Sequence, residues 1–167
     1  IAMPVINELP NHRIFVDKDT TIQVSQAVLD KWQHHRQCGL FSKEAFGVLL
    51  GAYNPEDNII YVTDCSEPMQ GDTAHKYGFK MRDAGHGMAV DKIFDRTKGT
   101  QSYLGTWHTH PERHPRPSKV DKDDWKGAMD INPKIPQFLF VIVGTETISY
   151  FPRKHQKRVN DEFVQLA

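Results

Sequence analysis

The apolar positions of the chain change period several times along its length. Arg13 to Val16 and Thr21 to Val24 read as short strands. Ser25 then stands as an N-cap, and Val28, Leu29 and Trp32 fall on one face of a helix from Gln26 to Gln37, closed by Cys38-Gly39. Ala45 to Tyr53 is an almost unbroken apolar run, the mark of a strand buried on both faces. Asn54 to Asn58 is turn chemistry, and Ile59 to Asp64 the return strand. A loop is predicted over Ser66 to Lys76 and a short strand over Tyr77 to Met81. A helix follows over Asp83 to Lys98, with Met88, Ile93 and Phe94 facing inward. Ser102 to His110 reads as a strand, Pro111 to Pro117 as a loop, and Ser118 to Met129 as a helix. Phe138 to Val143 is a second buried strand paired with Thr147 to Phe151, and a last helix is predicted from Val159 to Leu166. Both periodicities interleaved predict a layered α/β or α+β domain around one mixed sheet.

With 167 residues, one domain over 1–167 is expected. Ile1-Ala2 ahead of Met3 reads as an addition left by cloning, and no basic-then-apolar leader is visible at the N-terminus. Twenty-one Lys and Arg balance 21 Asp and Glu, so the basic excess of a general nucleic-acid binder is missing. No apolar run reaches the length of a membrane span. Two cysteines, Cys38 and Cys65, are too few for a disulfide framework and are read as buried small hydrophobes in a reducing, cytoplasmic setting.

Nine histidines change the picture, because a metal site in this chain would draw on His and carboxylates. His108 and His110 lie two apart at the end of a strand, where i and i+2 share a face and can present two imidazoles to one ion. Ser118 follows after seven residues and Asp121 three further on, the spacing of a helix cap and its partner in the first turn. Two His and one Asp make three protein ligands, which leaves zinc a fourth position for water, as in catalytic sites. Glu44, at the mouth of a buried strand, is the candidate general base. Gly47 nearby permits close backbone approach. Ser118 either caps the helix or donates to a developing oxyanion. His114, in the loop between the ligands, is a candidate for touching substrate. The other histidines (His12, His34, His35, His75, His86 and His155) read as surface or packing residues.

Glu44, then His108-Thr109-His110-Pro111, six residues, Ser118, two residues and Asp121 resemble the motif of the JAMM (MPN+) metalloproteases. The lead strand from Glu44 to Gly51 and the order of elements from about 20 to 152 are similar to that family as well. The resemblance implies a curved mixed sheet flanked by helices, related to cytidine deaminases. It also implies one zinc held by His108, His110 and Asp121, with Glu44 as general acid/base and Ser118 supporting the tetrahedral intermediate. The Pro-Cys-x-x-Cys signature of the deaminases is missing. Among family members, the short chain resembles the bacterial JAMM proteins of anti-phage CBASS operons. There an E1/E2-like ligase joins a nucleotide cyclase's C-terminus to targets and the JAMM peptidase removes it. This implies as substrate a protein with an extended C-terminal tail, the conjugated cyclase, bound along an open sheet edge. The segments after residues 65 and 121 are too short for both substrate-gripping insertions of the eukaryotic deubiquitinases, so their linkage selectivity does not carry over.

Competing readings are a peptidase that trims a ubiquitin-like or sulfur-carrier precursor, and a non-catalytic MPN scaffold, against which the intact motif argues. A TIM-barrel amidohydrolase needs about 250 residues. A metallo-β-lactamase-like site needs Asp and His where Glu112 and Arg113 stand.

Overall fold

The computed structural model describes residues 11–16, 19–155, 157–159 and 162–164. Seven strands form one mixed sheet in the order β1-β2-β4-β3-β7-β8-β9: β1 (Asn11–Val16), β2 (Thr20–Ser25), β3 (Phe46–Asn54), β4 (Ile59–Cys65), β7 (Ser102–Thr109), β8 (Phe138–Val143) and β9 (Ile148–Arg153). The pairs β2–β4 and β7–β8 run parallel and the other neighbours antiparallel. A separate hairpin, β5 (Thr73–His75) and β6 (Gly78–Lys80), stands apart from this sheet. Among the described residues, three helices complete the layers: α1 (Gln26–His34), α2 (Gly85–Arg96) and α3 (Lys119–Asp130).

The two faces of the sheet carry separate cores. On one, Val28 and Trp32 of α1 pack with Leu49, Trp107, Val141 and Val143. Ser25 caps α1, its hydroxyl accepting the Val28 N–H, and the i, i+4 pair Val28 and Trp32 is fully buried. On the other face, Ile93 of α2 packs with Val48 and Leu50, and Trp125 of α3 with Phe138, Phe140 and Ile142. The central strands β3 and β8 are covered on both sides, which is why their sequences are continuous apolar runs. Gly47 lies against the Ser66 carbonyl and the Trp107 indole, where no side chain fits; the indole N–H donates to that carbonyl over 2.9 Å. Gly105, at φ 152° and pressed on Leu139, sits where the β3–β7 register shifts.

Four expectations are corrected. Met88 and Phe94 are exposed on α2, and Ile93 alone of the three reaches the core, because the helix rests on the sheet over a narrow stripe. Cys38 is exposed; Cys65 is buried as expected. The 66–76 segment contains β5, which the short run Thr73–His75 is too polar to announce. In the tail, the described residues form two short antiparallel strands, β10 (Lys157–Val159) and β11 (Glu162–Val164), in place of a helix; their backbone groups pair across the hairpin, Arg158 opposite Phe163. Residues 160–161 and 165–166 of that predicted helix lie outside the described residues, as do residues 1–10, where the sequence predicts an ordered lead-in or first edge strand over 1–12.

Candidate metal centre

His108 and His110 stand at the C-terminal end of β7, both on the α2/α3 face, while Trp107 and Thr109 point to the α1 face. Phe46, at the start of β3, pairs with His108, so Glu44 just before it comes to the same end of the sheet. Asp121 arrives from the first turn of α3. Ser118 and Asp121 form a full capping box: the Ser118 hydroxyl accepts the Asp121 N–H over 3.1 Å, and the Ser118 N–H donates to Asp121 Oδ2 over 2.7 Å. The cap therefore does more than start the helix. It holds the Asp121 carboxylate in one orientation.

The three side chains converge. His108 Nε2 is 3.0 Å from His110 Nε2 and 3.1 Å from Asp121 Oδ1, and His110 Nε2 is 3.3 Å from Asp121 Oδ2. All three residues are buried, and their ligand atoms lie within 4.8 Å of one another, a group able to hold a metal ion. Tetrahedral zinc with bonds of about 2.0–2.1 Å separates its ligand atoms by about 3.3 Å, so the donor set and spacing fit that ion. Burial lowers the His108 pKa against the opposing pull of Asp121, which favours the neutral imidazole a metal needs. At His110 burial is outweighed by hydrogen bonds and charge from Asp121 and Glu112, and the pKa is raised. Asp121 is held well below the ordinary carboxylate range: burial opposes this, but the two imidazoles and the Ser118 N–H prevail. His110 Nδ1 meets Glu112 Oε1 at 2.8 Å, leaving Nε2 toward the cluster.

Glu44 is 6% exposed, and burial pushes its carboxyl up to about 7, with His110 opposing and Asp121 reinforcing. It shares a cleft of about 350 Å³ with Phe79, His110, Ser118, Val120 and Asp121. A second, mostly apolar groove of about 530 Å³ adjoins it, lined by Val48, Met81, Tyr103, Trp125 and Ile131 and sharing Phe79, Asp121 and Asp124 with the cleft. The β5–β6 hairpin forms one wall. Phe79 stacks on Phe46 with centroids 4.3 Å apart and tilts against His108 at 5.3 Å. The strand edge beside the cluster thus belongs to this hairpin, since β3 and β7 are interior strands of the large sheet.

The hairpin is anchored from behind. Asp72 accepts the backbone N–H groups of Met69, Arg82 and Asp83 and meets His86 Nε2 at 2.7 Å; His86 Nδ1 meets the Ser66 hydroxyl at 2.7 Å. Ser66, His86 and Asp72 have the order of a hydrolytic triad, but the Ser66 oxygen is buried and accepts the Val48 N–H, so the chain of bonds is a structural tether. His86 is therefore a packing residue, as expected. His114 is exposed, and its ring meets Thr147 Oγ1 at 3.1 Å; it does not line the cleft. Residues that the sequence reading passed over are Phe79, Glu112, Thr109 and Gln37. Only Thr109 carried a signal, as the polar residue alternating between His108 and His110.

A mixed sheet with helices on both faces, and a buried His-His-Asp group where the end of β7 meets the start of α3, define an α/β protein with a group that could hold a metal ion. The chain belongs to the prokaryotic homologs of the JAB domain, whose family model matches residues 25–158. It is 34% identical over 114 residues to a Vibrio cholerae protein named CD-NTase/cGAS isopeptidase, covering 68% of this chain and 72% of that one. Proteins of the same name from Escherichia coli and Pseudomonas aeruginosa are 32% identical over 140 residues and 30% identical over 132 residues, covering 83% and 79% of this chain and 86% and 82% of theirs.

Proposed function

We propose that this protein is a zinc-dependent isopeptidase that cleaves after the C-terminal residue of a conjugated nucleotide cyclase in a CBASS anti-phage system, freeing it from its target. The names of the relatives support the isopeptidase activity and the class of substrate. The observation that carries the chemistry is the placement of Glu44, buried, in the same cleft as His110 and Asp121, whose side chains converge with that of His108.

The extended tail lies in the groove between β6 and α3, with main-chain pairing to the hairpin edge and its last side chains over Phe79 and Met81. This brings the scissile carbonyl to the cluster. His108, His110 and Asp121 would hold one zinc, which would supply a Lewis acid for the carbonyl and lower the pKa of water. Glu44 takes a proton from the attacking water as the new C–O bond forms, and returns it to the leaving nitrogen as the C–N bond breaks. The Ser118 oxygen is occupied by the Asp121 N–H, while among the described residues no acceptor takes its hydroxyl hydrogen, which is free to donate to the carbonyl oxygen as charge develops. An E1/E2-like ligase that makes the conjugate is the proposed partner, and the free thiols of Cys38 and Cys65 support a cytoplasmic setting.

The test is a pair of fusions: the cyclase tail joined to an unrelated protein, and the same fusion with its final residues scrambled. Wild-type protein is expected to cut the first alone, and Glu44→Gln neither. Equal cleavage of both, or cleavage only of ubiquitin-like or sulfur-carrier precursors, overturns the proposal.

A further inference from the structure

We propose that Gln37, acting through Thr109, is a positioning residue that locks Glu44 in place and couples it to the β5–β6 hairpin. This rests on the reading of Glu44 as the proton acceptor. Gln37 lies just past α1, is 3% exposed, and has no part in the metal cluster. A buried amide is costly unless its hydrogen bonds are made. Here they are made to three different segments. Gln37 Oε1 accepts from the Thr109 hydroxyl over 2.8 Å; Nε2 donates to the Ser42 carbonyl over 3.1 Å and to the Lys76 carbonyl over 3.2 Å.

Thr109 extends the network to the other side of Glu44. Its hydroxyl accepts the Ala45 N–H over 2.9 Å, and its own N–H donates to the Ala45 carbonyl over 2.9 Å. Glu44 is thus bracketed by residues 42 and 45, each fastened to the Gln37–Thr109 unit. Its own N–H donates to the His75 carbonyl over 2.8 Å, next to the Lys76 carbonyl that Gln37 holds. Alternation along β7 explains the economy of the arrangement: His108 and His110 face the cluster, and Thr109 between them faces α1 and Gln37. One strand end supplies two ligands on one face and the anchor of the base on the other.

Glu44 lies outside the regular part of β3, in a segment with no strand or helix of its own. A catalytic carboxylate on such a segment stays within reach of its proton only if neighbouring bonds hold it, and a displacement of about 1 Å costs as much as ~10²-fold in rate. Because two consecutive hairpin carbonyls close the network, a substrate strand added to the hairpin would act on the same bonds that hold Glu44.

The experiment compares Gln37→Leu, Thr109→Val and Thr109→Ser with wild type, each loaded with zinc. Gln37→Leu is expected to keep its zinc and to lose about 10- to 100-fold in kcat on the tail fusion with KM little changed. Thr109→Ser, which keeps the hydroxyl, is expected to recover most of what Thr109→Val loses. In a Glu44→Gln background the Gln37→Leu loss should vanish, since a residue that acts only through Glu44 has nothing left to position; a merely structural role would multiply. Amide exchange gives a readout independent of turnover: the Glu44 and Ala45 amides should exchange at least about tenfold faster in Gln37→Leu, while those of β8 are unchanged. A wild-type rate in Gln37→Leu, an undiminished loss in the double variant, unchanged Glu44 and Ala45 exchange, or loss of zinc overturns the positioning role. A wild-type rate in Glu44→Gln alone overturns the proton-acceptor reading instead.

Discussion

The Nε2 atoms of His108 and His110 face each other at 3.0 Å, and the two oxygens of Asp121 close the group, Oδ1 on His108 and Oδ2 on His110. Protein hydrogen bonds alone leave this group poorly balanced, since two imidazole nitrogens that both donate to Asp121 oppose each other at 3.0 Å. A divalent cation accepts lone pairs from all three.

Removing one donor should therefore empty the centre. His110→Ala and Asp121→Ala are expected to purify with little zinc by elemental analysis, while wild type carries one equivalent. Full zinc content in both variants would show that the ligands lie elsewhere.

Ser118 has two jobs in this geometry, and they separate experimentally. Loss of the cap in Ser118→Ala should cost about 1 kcal/mol of stability. Loss of the hydroxyl donor should cost about 10²–10³ in kcat with KM nearly unchanged. Both effects are expected together. A lowered melting temperature with normal kcat would reduce Ser118 to its capping role.

The buried Glu44 carboxyl also predicts a pH signature in the metal-free protein. Burial, reinforced by Asp121 and opposed by His110, raises its pKa to about 7 from an ordinary value near 4.5. A carboxyl raised on folding contributes stability that is fully present below the unfolded pKa and is lost as pH rises through the folded one. In chelator-treated protein, Glu44→Gln should thus gain in melting temperature relative to wild type between about pH 4.5 and 7, and hold that gain above. A difference that does not change with pH would mean the carboxyl is not desolvated.

Much of the fold was legible in local pattern. Ser25 and Ser118 marked helix starts because a capping oxygen works within three residues of itself. The continuous runs of β3 and β8 marked buried central strands because both faces of such strands are covered. That His108 and His110 share a face and that Asp121 is held in a capping box was legible for the same reason, since short-range backbone rules set both. Where local pattern misled, a long-range contact decided. Met88 and Phe94 have helical spacing, but how much of α2 the sheet covers is set by the curvature of strands distant in sequence.

The sequence by itself determined the chemistry on offer, because residue types and their spacing along one strand and one helix turn specify which side chains share a face. Only the tertiary structure decided how that chemistry is held. Glu44 is 64 residues from His108 in the chain, and its burial arises where β3 pairs with β7. Gln37 is 72 residues from Thr109, and nothing in the sequence around either predicts their 2.8 Å bond. A buried amide finds its partners after the chain has closed around it, when every unpaired polar group in the interior carries a cost that only contacts between distant segments can remove.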